Sequence, residues 1–161
     1  MYNVLDICRY IINYSNSHLN GISNLKLQKI LYFVQAYFLK MTKEPCFSEN
    51  IEAWDFGPVV PTAYHNFKQF GALNIPSIST YLEYDINNIW GVKRKTFDEN
   101  IINEEDKKRI DSILKMFRDY SATSLVDLTH NQAPWRKAYV PGMNNVITLE
   151  SIRRYFQWLV V

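Results

Sequence analysis

Glu52-Ala-Trp-Asp-Phe-Gly-Pro-Val-Val-Pro61 is the stretch on which the fold of this chain turns. Trp54 and Phe56 flank Asp55. Gly57 can adopt backbone angles closed to other residues. Pro58 and Pro61 each fix one dihedral, and Pro61 also drives Val60 out of the helical region. The segment therefore specifies a rigid corner: an extended run ending near Trp54 turns sharply and enters a helix at about Pro61. It contains no group that performs chemistry unaided, so it reads as a shape and not as a catalyst.

Upstream of the corner the pattern is helical. Val4, Leu5, Ile7, Cys8, Ile11 and Ile12 recur at helical spacing, which predicts a first helix over about residues 2 to 16. Ser23 or Asn24 caps a second helix. Its stripe is Leu27, Ile30, Leu31, Val34 and Phe38, widened by Leu25, Phe33, Tyr37 and Met41. A helix so apolar, continuing to about Lys40, belongs at the centre of the core. Phe47 to Trp54 is extended, a strand of a small sheet or hairpin, with Ile51 and Ala53 on one side and Glu52 and Trp54 on the other.

Downstream, a third helix runs from about Pro61 to Phe70 and Gly71 stops it. Residues 72 to 100 read as loop and irregular chain with one short strand near Lys95 to Phe97. Asn103 caps a fourth helix, whose first turn holds Glu104, Glu105 and Asp106. Ser121 or Thr123 caps a short fifth helix through Leu128, and Ala133-Pro134-Trp135 interrupts. Thr148 caps a last helix with Leu149, Ile152, Tyr155, Phe156 and Leu159 inward. The expected fold class is mainly α (α+β): a compact helical domain of about five to six helices with a small β-hairpin or sheet. Residues 1–161 form one domain in this reading, since no linker or repeat divides the chain.

The totals agree with an ordinary globular chain of 161 residues, 47% hydrophobic and 21% charged, with a net charge of +2. That charge is too small to imply a nucleic-acid partner. Cys8 and Cys46 lack metal-type spacing, and Cys8 falls on an apolar helix face as a buried free thiol. No signal-peptide pattern occurs at the N-terminus, and no apolar run approaches the roughly 20 residues of a membrane span. A reducing, cytoplasmic compartment is the expectation.

The search for chemistry returns little. His18, His65 and His130 have no metal-ligand spacing; His130 reads as a buried hydrogen-bonding residue ordering the turn before Trp135. Glu49, Glu52 and Asp55 form an acidic group that is open to three readings: an acid–base pair across a cleft, the solvated side of a strand, or a surface for a basic partner. Short basic groups such as Lys93-Arg94-Lys95 mostly lie near acids. Glycine-rich phosphate loops and Gly-x-Ser-x-Gly are absent from the sequence. No catalytic residue, cofactor or metal is expected.

Taken in order, Asn24-Leu-Lys-Leu-Gln-Lys-Ile-Leu-Tyr-Phe33, Ile51 to Tyr64, Ser121-Ala-x-x-Leu125 with Leu128-Thr-His130, and Ala133-Pro-Trp135 resemble the Panacea domain, which includes SocA-like and phage-associated proteins. The resemblance covers about Asp6 to Ala138. It implies a helical domain with a small β element and the role of antitoxin in a toxin–antitoxin pair, neutralising a toxin encoded nearby by direct protein contact. Alternatives are an adaptor delivering the toxin to an ATP-dependent protease, and a DNA-binding regulator. Trp54, Asp55, Phe56, Tyr64 and Trp90 are the candidate partner contacts, with core packing competing for the aromatic ones. Gly57, Pro58, Pro61, His130 and Trp135 are the structural motif. Residues 72 to 103, which follow no pattern of that family, are where partner choice is expected to vary.

Overall fold

A computed structural model describes residues 1–85, 87–88 and 90–158. Helix α1, Val4–Ser17, starts where the Asn3 side chain accepts the backbone N–H of Leu5 at 2.8 Å. Its apolar stripe, Ile7, Cys8, Ile11 and Ile12, is fully buried. Helix α2, Asn24–Thr42, is capped by the Ser23 side chain. It ends at Lys43 in the left-handed conformation, with φ 66°. Every stripe residue from Leu27 to Phe38 is buried, and so are the polar Gln28, Lys29 and Gln35. α2 is thus surrounded on nearly all sides, as its apolar composition requires. Met41, expected to widen the stripe, is exposed near the C-terminal end of the helix.

The corner is a β-hairpin. Strand β1, Ile51–Trp54, pairs antiparallel with β2, Gly57–Val59, and Trp54 lies opposite Gly57. Asp55 and Phe56 alone make the turn. The extended run therefore reverses into a second short strand before Pro61 opens helix α3, Pro61–Phe67. The expected alternation holds: Ile51 and Ala53 are buried, Glu52 and Trp54 partly so. α3 gives way at Lys68 to a 3-10 turn ending at Phe70, before Gly71.

Residues 72 to 100 hold more order than their sequence suggests. β3, Thr80–Tyr84, and β4, Val92–Thr96, form an antiparallel two-stranded sheet where one short strand was expected. A 3-10 turn, Glu99–Ile101, leads into helix α4, Glu104–Met116, capped by the Asn103 side chain. Helix α5, Ala122–His130, is capped by Ser121. Ala133-Pro134-Trp135, read as an interruption, instead opens helix α6, Ala133–Ala138. Proline is tolerated in a first helical turn because its missing N–H has no partner there anyway. β5, Val146–Ile147, joins the free side of β1 to give the order β2-β1-β5.

Helix α7, Leu149–Phe156, is capped by Thr148. Ile152 and Phe156 point inward; Leu149, at the exposed start of the helix, does not. Leu159, expected inward, lies outside the described residues. The fold is mainly α with small antiparallel sheets, seven helices being described. α2 packs against α4, α5 and α7, and against β2 at its N-terminal half. Cys8 and Cys46 are both buried free thiols.

Gly57 has φ +96°, and a Cβ there would stand 2.8 Å from Lys29 Cε and 2.8 Å from Thr129 Oγ1. Both the backbone and the space beside it therefore demand glycine. Gly57→Val is expected to cost roughly 1–3 kcal/mol. Thermal unfolding reads this as a melting temperature lowered by about 3–10 °C; an unchanged melting temperature refutes the account of the corner.

Candidate functional site

The polar face of α2 fixes the corner. Asn24 lies about one turn before the neighbouring Gln28 and Lys29, and each of the three binds the polypeptide that passes over the helix. Lys29, wholly buried, donates from Nζ to the Pro58 carbonyl at 3.0 Å. Gln28 Oε1 accepts the Val60 N–H at 3.0 Å, and Gln28 Nε2 donates to Asn24 Oδ1 at 2.9 Å. Asn24 Nδ2 donates to the Tyr64 carbonyl at 3.1 Å. Val60 is the N-cap residue of α3 and has no side chain able to cap, so Gln28 serves the backbone at this junction. Burial without a neighbouring carboxylate disfavours the charged ammonium, and the Lys29 pKa falls from 10.5 to about 7.

The corner is also held by an aromatic stack. His130 lies on Trp135 with ring centres 4.0 Å apart, and Trp135 on Tyr139 at 4.4 Å. Trp135, buried, donates from Nε1 to the Trp54 carbonyl at 3.0 Å. Tyr139 donates its hydroxyl to Asp55 Oδ1 at 2.9 Å. Trp135 thus packs into the core cluster. His130 orders this region by stacking and not by the expected hydrogen bond: its Nε2 is buried with no partner among the described residues.

Beside the corner lies a groove of about 440 Å³. Trp54, Asp55, Phe56 and Tyr64 line it, together with Leu25 and Lys68. The ring of Trp54 meets that of Tyr64 edge-on at 5.0 Å, and its Nε1 donates to Glu52 Oε2 at 2.7 Å. Phe56, at the tip of the hairpin, is 67% exposed. Four of the predicted partner contacts therefore share one concavity, built from the start of α2, the β1–β2 turn and α3. Trp90 does not join them. It lies in the connection between β3 and β4 and is 92% exposed.

The acidic group of the sequence is dispersed into separate structural tasks. Glu52 holds the indole of Trp54 and Asp55 holds Tyr139. Glu49 Oε1 receives the Val4 N–H at the start of α1, at 3.5 Å. Among the described residues, no three His, Cys, Asp or Glu side chains gather as a metal site. No helix among them is long and apolar enough to cross a membrane. The residues that sequence reasoning missed are Gln28 and Lys29 as supports and Lys68 as a groove residue. The signal for the first two was present: an amide and an amine interrupt the apolar run from Leu27 to Leu31.

The family model for antitoxin SocA-like proteins, the Panacea domain, matches residues 27–136, a span that contains Lys29, the whole corner and Trp135. The chain is also similar to antitoxin SocA of Caulobacter vibrioides (strain NA1000 / CB15N), with 34% identity over 126 residues. That alignment covers 76% of this chain but 63% of the Caulobacter protein, so the chain spans less than two thirds of its relative's length. No solved structure matches.

Lys29 makes stability depend on pH in a defined direction. Between pH 7 and 10.5 the unfolded chain retains a proton at this amine that the folded chain has released. Stability contributed here therefore rises with pH across that window and is lost as pH falls towards 7. The Cys8 and Cys46 thiols, pushed up by burial, oppose this once the unfolded thiols ionise, above about pH 9. From about pH 7 to about pH 8.5 the wild type should gain roughly 1–2 kcal/mol relative to Lys29→Met. Denaturant unfolding of both proteins measures it, and parallel pH profiles refute it.

Proposed function

Because this chain belongs to the antitoxin SocA-like, Panacea domain family, we propose that it is an antitoxin that neutralises a cognate protein toxin by binding it directly. The observation that carries the reading is the groove lined by Trp54, Phe56 and Tyr64. Its occupant is an apolar segment of the toxin, with polar groups on either side that meet Asp55 and Lys68, charges of opposite sign on the groove lining. Aromatic side chains in a concave, partly desolvated setting are the usual centres of binding energy. The groove is also preformed. Lys29, Gln28 and Trp135 pin the backbone, so little ordering entropy remains to be lost on binding.

Neutralisation by occlusion is the simplest mechanism for such a surface: a tight complex that covers the toxin's active region needs no further activity from the antitoxin. An adaptor that hands its toxin to a protease needs a second surface for the protease, and a DNA-binding regulator needs basic residues gathered on one face. Near-neutral net charge supports neither nucleic-acid steering nor a salt-dependent grip. The toxin is expected to be encoded beside this chain, and the complex to form in the cytoplasm.

The test pairs the purified chain with the product of the adjacent reading frame. Wild type should form a complex and rescue growth when the two are co-expressed. Phe56→Ala, at an exposed position, should leave the melting temperature within about 2 °C while weakening the complex by roughly tenfold or more. Equal affinity for both proteins excludes the groove as the contact. Rescue that persists in cells lacking their main ATP-dependent proteases favours occlusion, and rescue lost there favours the adaptor.

A further inference from the structure

The β3–β4 sheet has two faces of different character. Pairs opposite each other across an antiparallel ladder share a face. Tyr81 with Lys95 and Glu83 with Lys93 therefore lie on one side, and Leu82 with Arg94 and Tyr84 with Val92 on the other. The first face is turned to the protein: the guanidinium of Arg9, itself buried and paired with Asp6 at 2.6 Å, lies 3.4 Å above the Tyr81 ring. The base of the sheet is tied to α1, where Asn13 exchanges hydrogen bonds of 2.8 and 2.7 Å with the Ile78 backbone. The sheet is thus held in one orientation, with its second face outward.

That outward face, shared with Thr80, Thr96 and Arg94, carries three uncovered apolar side chains. Leu82 is 56% exposed, Tyr84 75% and Val92 47%. A two-stranded ribbon gains little from presenting such a face to water, and contiguous exposed apolar surface marks an interaction site. The charges on the sheet indicate what covers it. Lys95 pairs with Glu83, and Lys93 lies 3.9 Å from Asp85. These pairs consume both acids, and Arg94 has no ion-pair partner among the described residues. The outward face therefore combines an apolar surface with one unneutralised guanidinium and no carboxylate.

We infer that this face is a second contact surface for the toxin and that it takes an apolar toxin segment carrying a carboxylate. The inference rests on the antitoxin reading and adds to it a surface separate from the groove. A second copy of this chain fits poorly: two such faces placed together would hold two unneutralised guanidinium groups and no acid. An Asp or Glu on the toxin reaches Arg94 in a fork geometry while neighbouring apolar side chains cover Leu82, Tyr84 and Val92. The groove supplies grip, and the hairpin supplies the charge that discriminates among toxins.

The experiment uses the full chain with Leu82→Asp and Arg94→Glu, both at exposed positions, against the product of the adjacent reading frame. Both variants should keep the wild-type melting temperature and weaken the complex at least tenfold. A single Asp→Lys or Glu→Lys change on the toxin should restore binding to Arg94→Glu. Wild-type affinity in both variants overturns the inference and leaves the antitoxin reading standing. Failure of the wild type itself to bind removes both. A shift from dimer to monomer in Leu82→Asp without loss of toxin affinity assigns the face to a second copy and likewise overturns it.

Discussion

The hydrogen bond from the buried Lys29 Nζ to the Pro58 carbonyl, 3.0 Å long, is the contact on which the corner and its surroundings depend. A carbonyl removed from water needs a donor, and proline-rich backbone has few donors of its own to offer. α2 supplies the donor from below. The proximity that this requires explains Gly57, since any side chain there would occupy the space of the lysine stem and of Thr129. It also explains the depressed Lys29 pKa, because the hydrogen bond is made in a place from which carboxylates and water are kept away.

From that contact the rest of the site follows. With Pro58 held, β2 lies across α2, and Gln28 receives the next available N–H at Val60. α3 then leaves the sheet in one direction only and carries Tyr64 to Trp54. The stack of His130, Trp135 and Tyr139 fixes Trp54 through its carbonyl and Asp55 through its carboxylate. A groove bordered by such fixed elements keeps its shape with no partner bound. The β3–β4 ribbon is attached differently, through α1, so its outward face and the groove rest on separate supports. A protein that must hold one scaffold while accommodating a particular partner is well served by that division.

Much of this was legible in the residues. Asn3, Ser23, Asn103, Ser121 and Thr148 sit at helix starts because their side chains accept the unpaired N–H groups there, and this local chemistry shows in the sequence. The stripe of α2 predicted its central place. β3–β4 escaped notice because its alternation is masked: Lys93, Arg94 and Lys95 make β4 look like a solvated charge run, and the long side chains on each face are of mixed type. α6 is hidden in the sequence because Pro134 reads as a breaker, whereas it occupies the first turn, where proline starts a helix. Lys29 was passed over because spacing alone does not say whether a lysine on an apolar helix reaches water or a carbonyl.

The sequence by itself determined six of the seven described helices, the rigid turn at Gly57 and Pro58, and the family to which the chain belongs. These rest on dihedral limits, caps and periodicity, all properties of neighbouring residues. The tertiary structure alone decided that Trp54, Asp55, Phe56 and Tyr64 share a groove while Trp90 stands apart, that Glu49, Glu52 and Asp55 serve separate tasks, and that Lys29 is buried beneath the corner. Those outcomes depend on distances between α1, α2, the two hairpins and α6, and such distances are set by how whole elements pack against one another.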